Sequence, residues 1–575
     1  MIQRLLIWIY GLVFALLFGV VFSAQILGFL RLYAPLPVLL GTVAATLAAA
    51  YFYFRSGRTW WRGFAPQPRP TPGEAMAAVC ALLLLLLIFG LRMALWPESA
   101  LGAIHHEDMI VYHLPKAIEL ARTGGMWSLG IPYGQYPIGY ESLTSLAILL
   151  TGSYARLGLA HALITVFLIL TIVLLLRRYT PLPTGWLLLG GVLLWLYPTL
   201  YSQILIVGKN DLLLSATLLA AVLHAPIDDR GAPVRWHPWG LAAASLLTLA
   251  IKGNGVFVLG GLWLWVLLHW YRAYRAGRAA DFLRVLQFVA LLGVMAVGGL
   301  WVIRNLIVMG RPYSPEVAGF FSTTFAANLF NPQVYTMGTE STALVLLLAI
   351  MAASVAMAAR YSWGAAWALA LMWFAILMTP LGLFRGPLET QIDIEWRYTT
   401  YAFLYIVVLV PALIAPLLAR LLAALEQNRL VRWLLPVGVV VVTAGILWAL
   451  DVRTFLERDE DHWQRLRAPA DVAPGVDGYA HVYDFVQREI ANAVVYYEEF
   501  TPLFVYDPGF TNQPINTIYP LGQPEAIEEP PPDVLVYPDF NNITGDALLP
   551  EPPSTWRLIY DDGVGRVYQR VEPSG

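Results

Sequence analysis

The sequence predicts a mainly α fold: a polytopic bundle of about thirteen transmembrane helices, followed by a small extracytoplasmic α/β domain. Three observations predict it. Apolar runs of about 18 residues or more recur from the N-terminus to about residue 451. The 575-residue chain is 58% hydrophobic and only 13% charged, about half the charged share of ordinary soluble domains. After residue 451 the composition turns rich in Pro, Asp and Glu, and no long apolar run follows.

The spans are placed near 5–30, 36–54, 75–96, 155–176, 184–204, 210–225, 238–252, 254–271, 285–309, 342–359, 363–384, 398–419 and 432–451. The first is too long for the apolar core of a signal peptide and reads as an anchor. Segment 138–152, "IGYESLTSLAILLTG", is short and carries Glu141. Read as a helix lying at the surface, it leaves Arg177 and Arg178 on the inner side. Every loop then obeys the positive-inside rule. Arg55, Arg58, Arg62, Arg69, Arg230, Arg235, Arg272, Arg275, Arg278, Arg284, Arg360, Arg420, Arg429 and Arg432 gather on that same face. The loops at 97–154, 205–209, 310–341 and 385–397, with the tail, lie opposite. The N-terminus is expected inside and the C-terminus outside.

Three regions follow. Residues 1–73 hold two helices and a cytoplasmic loop, 74–451 form the transmembrane core with its outer loop 97–154, and 452–575 form the outer domain. In that domain "VYDFVQREIANA" has helical spacing. "AVVYYEE", "PLFVYD" and "DVLVYP" read as short buried strands. "WRLIYDDGVGRVYQRV" reads as a hairpin turning at Asp562-Gly563, and "NQPINTIYPLGQPEAIEEPPP" as a loop. The net charge of −2 implies no nucleic-acid partner. The single cysteine, Cys80, excludes a disulfide framework or cysteine metal site within one chain.

The chemistry-bearing residues gather in the outer loops. "AIHHEDMIVYHLPKAIELARTGG" places His105, His106, Glu107 and Asp108 ahead of an amphipathic helix expected over 113–123 and lying on the membrane. Its apolar positions leave His113, Lys116, Glu119 or Arg122 facing water. Asp211 starts a later span on the same side. Lys252, Arg304 and Arg397 sit within or at the ends of spans, where a mid-helix charge costs about 2.5–3.5 kcal/mol and marks an internal path. Each also has a plainer reading as a solvated loop residue or a side chain snorkelling to the interface.

Asp108-x-x-x-Tyr112 followed by "HLPKAIELARTGG", then "GKNDLLLSATL", "IKGNG" and "RNLIVMGRPYSP" in that order, resembles the GT-C superfamily of membrane glycosyltransferases. The pattern is most similar to bacterial proteins related to protein O-mannosyltransferases and the aminoarabinose transferase of lipid A. The resemblance covers about residues 70–450. It implies a GT-C-like core and a bacterial inner or plasma membrane. It also implies inverting transfer from a polyprenyl-phosphate sugar to a lipid, glycan or protein acceptor on the outer face.

Asp108 is then the general base, with Glu107 its rival. Tyr112, His113 and Lys252 bind the substrate; Lys116, Lys209, Arg304 and Arg397 face the leaving phosphate; Asp211 orients the acceptor or one of these cations. Some family members use a divalent cation. Here none is expected, because adjacent residues in one loop rarely converge on one ion; His105 and His106 would be the ligands. The chain departs from the family in three ways. Met109 follows Asp108 where many members have Glu, two extra spans precede the loop, and the tail is compact. A transporter or flippase for a lipid-linked glycan, or a non-catalytic membrane partner, are the alternatives. A transporter tends to show matched repeats, and the chain shows no such symmetry.

Overall fold

The structure is a computed structural model. It describes residues 2–57, 60, 64, 70–95, 112–128, 131, 133–152, 157–194, 210–227, 236–277, 292–312, 339–377, 399–449, 478–497, 505–507, 509–516, 531–537, 555–563 and 565–571.

The described chain is mainly helical, as its apolar runs require: without water, a buried backbone satisfies its polar groups within a helix. The helices are α1 (Ile2–Phe29), α2 (Pro35–Ser56), α3 (Pro72–Leu95), α4 (Leu114–Thr123), α5 (Gly139–Thr151), α6 (Leu157–Tyr179), α7 (Thr184–Leu193), α8 (Asp211–His224), α9 (Pro238–Ile251) and α10 (Gly255–Arg275). They continue as α11 (Leu292–Val297), α12 (Leu300–Met309), α13 (Thr339–Tyr361), α14 (Trp363–Leu377), α15 (Thr400–Leu413), α16 (Ala415–Gln427), α17 (Arg429–Leu447) and α18 (Gly478–Glu489).

A helix lies in every segment expected to span, but the helices are not all full spans. Among the described residues four are long and apolar enough to cross a membrane, or five if one bent pair counts as one. Their exposed leucines, valines and tryptophans mark this as a membrane protein. Two expected spans are interrupted. The 398–419 span bends by 69° after α15, and the chain continues as α16 to Gln427. Pro411 inside α15 and Pro416 at the start of α16 remove two backbone donors there, which frees the chain to turn. The 285–309 span breaks at Gly298 and Gly299, between α11 and α12.

One hydrophobic core runs from Leu6 to Ala412. The N-terminal helix belongs to it. Tyr10 and Phe14 of α1 meet Tyr53 of α2, Phe167 of α6 and His224 of α8 in an aromatic cluster. The 1–73 region therefore shares its core with the 74–451 region. Some contacts are backbone-close: a Cβ built on Gly364, at the start of α14, would collide with the Ile227 carbonyl oxygen. Gly364→Ala is expected to cost about 1–3 kcal/mol by overpacking, read as a lower thermal midpoint in detergent.

The C-terminal domain is a five-stranded sheet in the order β2-β1-β3-β5-β4. Its strands are β1 (Val494–Tyr497), β2 (Gln513–Asn516), β3 (Val534–Tyr537), β4 (Trp556–Asp561) and β5 (Arg566–Arg570). β2, β1 and β3 are parallel; β5 joins β3 and β4 antiparallel. Val482, Val486 and Ile490 of α18 and the residue after it pack with Val495, Val534, Val536 and Val567. The hairpin turns with Gly563 at φ +88°, the left-handed region that glycine enters freely. Two expectations are corrected. Of "PLFVYD", residues 502–504 lie outside the described residues, and the remaining three form no strand: Val505 and Tyr506 are buried in a turn. The segment read as pure loop begins with strand β2.

Candidate functional site

The site is built on α4. Pro115 sits in its first turn, where the missing N–H costs nothing. Gly124 ends it with φ +67°. The turn between α1 and α2 then clamps the chain leaving α4. Tyr33 N donates to Gly124 O at 2.9 Å, Met126 N to Gly28 O at 3.0 Å, and Trp127 Nε1 to Phe29 O at 2.8 Å. Arg31 stacks over the Trp127 ring.

The polar side chains at the start of α4 turn inward, which corrects the water-facing expectation. His113, Lys116 and Glu119 are all buried, and Arg122 is part-buried. Their partner in the first turn is Glu141 of α5. Its Oε1 accepts from His113 Nδ1 at 2.8 Å and from Lys116 Nζ at 3.2 Å. Lys116 also donates to Pro137 O at 2.7 Å and lies 5.9 Å from the ring centres of Tyr112 and Tyr136. An anionic carboxylate accepts only, so His113 Nδ1 carries the proton of that bond.

The electrostatics follow from burial. Burial pushes the Lys116 ammonium down to about 8 from its ordinary 10.5; Glu141 opposes that fall, and Arg304 adds to it. Burial raises the Glu141 carboxyl, but Lys116 and the His113 hydrogen bond outweigh it and hold the group below the usual carboxylate range. Glu141 Oε2 and Gln135 Nε2 are buried and have no hydrogen-bond partner in the structure.

Arg304 of α12 reaches the same loop. Its Nη1 donates to Met126 O at 2.8 Å and its Nη2 to Tyr136 O at 3.4 Å, while Nε and Nη2 also grip Asn305 Oδ1. Asn305 Nδ2 donates to Gln135 O and Pro312 O. Arg304 thus ties Met126 and Tyr136 to α12. Tyr112, Tyr133 and Tyr136 form an aromatic cluster beside Lys116.

A second ion pair joins α8 to the end of α9. Lys252 Nζ meets Asp211 Oδ1 at 2.6 Å, with 23% and 7% of the two side chains exposed. Asn210 Nδ2 donates to Ile251 O nearby. The two clusters approach through backbone: a Cβ on Gly139, at the start of α5, would lie 2.6 Å from the Ala250 carbonyl oxygen.

The structure thus brings together Tyr112, His113, Lys116 and Arg304, and separately pairs Asp211 with Lys252. Asp108, Glu107, His105, His106, Lys209 and Arg397 lie outside the described residues. Among the described residues no group of three or more His, Cys, Asp or Glu side chains is arranged to hold a metal ion. Sequence reasoning passed over Glu141 as a site residue. Its signal was a lone carboxylate in the first turn of a helix with no other charged residue.

Comparison with known proteins finds no family model, no curated protein and no solved structure that matches the chain.

Proposed function

We propose that the protein is an integral-membrane glycosyltransferase of GT-C type. It moves a sugar from a polyprenyl-phosphate donor to an acceptor on the extracytoplasmic face, with inversion and with Asp108 as general base. The observation that carries this reading is the charge balance beside the first outer loop. Lys116 pairs with the buried carboxylate of Glu141, and a second buried cation, Arg304, lies close enough to feel the same charge. Among the described residues the cluster thus holds one more cation than carboxylate, an arrangement that suits a ligand gaining negative charge. A departing lipid phosphate gains negative charge as the glycosidic bond breaks, and preorganised cations stabilise that change.

Within the proposal, the acceptor hydroxyl gives its proton to Asp108 and attacks the anomeric carbon. The bond from that carbon to the phosphate oxygen breaks, and polyprenyl phosphate leaves. The proposal keeps the N-terminus inside, the C-terminal domain outside and about thirteen spans, supported by the arginine distribution.

Purified protein in lipid nanodiscs, given polyprenyl-phosphate sugars of several types, tests the reading. Release of polyprenyl phosphate with one of them, dependent on an acceptor, supports it. Movement of the intact lipid-linked sugar across the bilayer without release supports the flippase alternative instead.

A further inference from the structure

His113, Lys116, Glu119 and Arg122 recur at three-residue intervals, so they form a polar stripe that winds about 60° around α4 at each step. Glu141 takes the first half of that stripe. The second half meets the C-terminal domain. Tyr506 Oη donates to Glu119 Oε1 at 2.9 Å, and Arg122 grips the same carboxylate from its own helix, Nε to Oε1 at 3.0 Å and Nη2 to Oε2 at 2.8 Å. Glu119 is 5% exposed and Tyr506 3%. Bonds to a charged acceptor out of water are the stronger kind.

Tyr506 is itself held rigidly. Asp507 accepts from the backbone N–H groups of Gly509, Thr511 and Asn512. Asn512 Nδ2 donates to Ile490 O and Val505 O, and its Oδ1 accepts from Ala493 N. This knot ties the Tyr506 turn to the end of α18 and the starts of β1 and β2. At the far end of α4, the α1–α2 turn holds Gly124 and Met126.

We propose that the C-terminal domain is a positioning element for the outer-loop site, acting through a buried latch of Tyr506, Glu119 and Arg122. Glu119 lies six residues from His113 and three from Lys116, about 9 Å and 4.5 Å along the axis of the same helical segment at 1.5 Å rise per residue. Tyr506 therefore fixes the register in which α4 presents His113 and Lys116 to Glu141. Tyr506 and Glu119 are positioning residues; they touch no reacting atom. The latch stands on its own geometry, and only its effect on transfer rests on the proposed function.

The test uses the full-length protein in nanodiscs. Tyr506→Phe is expected to speed hydrogen exchange over 114–128 by about tenfold, with exchange in the β4–β5 hairpin unchanged. The pH midpoint for amine modification of Lys116, which faces Glu141, His113 and Arg304, is expected to rise from about 8 toward 10.5 as water enters. Glu119→Gln, which keeps an acceptor for Tyr506 but drops the ion pair, is expected to give a smaller change in both readouts. It also decides the matter should Tyr506→Phe fail to fold. In a transfer assay Tyr506→Phe lowers kcat several-fold with donor KM unchanged. Wild-type exchange and a wild-type Lys116 midpoint in the folded variants overturn the latch. A wild type without transfer overturns the proposed function, while exchange and labelling still decide the latch.

Discussion

Replacing Glu141 by Ala is expected to destabilise the protein by about 3–5 kcal/mol, among the largest effects of any single substitution in the described chain. The reason is the asymmetry of buried ion pairs. An intact pair contributes little net, because each charge gives up its water to form it. Removing one partner leaves the other dry and uncompensated. In Glu141→Ala the Lys116 ammonium keeps only Pro137 O and the faces of two tyrosines, and His113 Nδ1–H loses its acceptor.

The thermal midpoint in detergent, read by fluorescence-detected size exclusion, is expected to fall sharply. Adding Lys116→Met removes the stranded charge while keeping the apolar stem, so the double variant is expected to recover a large part of the loss. A single variant that melts like wild type would overturn the description of Glu141 as the buried partner of Lys116 and His113.

α4 shows how far local signals carry. A proline in its first turn, a glycine after its last and apolar residues at helical spacing predict 113–123, and the helix runs Leu114–Thr123. All of those signals lie within the segment. What covers its polar stripe does not. Glu141 is 25 and 28 residues from Lys116 and His113, and Tyr506 is 387 residues from Glu119. A polar stripe facing water and one facing buried partners have the same periodicity, so the sequence favours the commoner case.

Strand β2 was hidden for a different reason. "QPIN" reads as a turn, and a proline argues against a central strand. β2 lies at the sheet's edge, where Pro514 is tolerated. Conversely "LFVY" has strand composition, yet its described residues, Val505 and Tyr506, lie in a turn, and Asp507 beside them collects three backbone N–H groups from Gly509, Thr511 and Asn512. The bend after α15 was marked by Pro411 and Pro416, but the apolar run continues through both, and hydropathy alone does not register a missing backbone donor.

Asp108→Asn is expected to lower transfer by about 10²–10⁴-fold without loss of folded protein. The amide matches the carboxylate in size and can still orient a hydroxyl, but it cannot take that hydroxyl's proton in the transition state. Under the proposed mechanism the deficit belongs in kcat, with KM for the donor nearly unchanged, because cations rather than this acid would hold the donor phosphate. Glu107→Gln separates the two neighbouring acids. If Asp108 is the base, Glu107→Gln keeps transfer within a few-fold of wild type; the reverse result moves the role one residue back.

Lys116→Met supplies the complementary measurement. In the proposed mechanism it removes a cation from beside the departing phosphate, so it is expected to reduce kcat. Because Lys116 also neutralises Glu141, the variant is compared with Glu141→Gln/Lys116→Met, in which neither charge remains. Transfer lost in both variants assigns the effect to the phosphate. Transfer restored in the double variant assigns it to the stranded carboxylate and limits Lys116 to a structural part. Full activity in Asp108→Asn and in Glu107→Gln alike would remove the carboxylate base from the mechanism altogether.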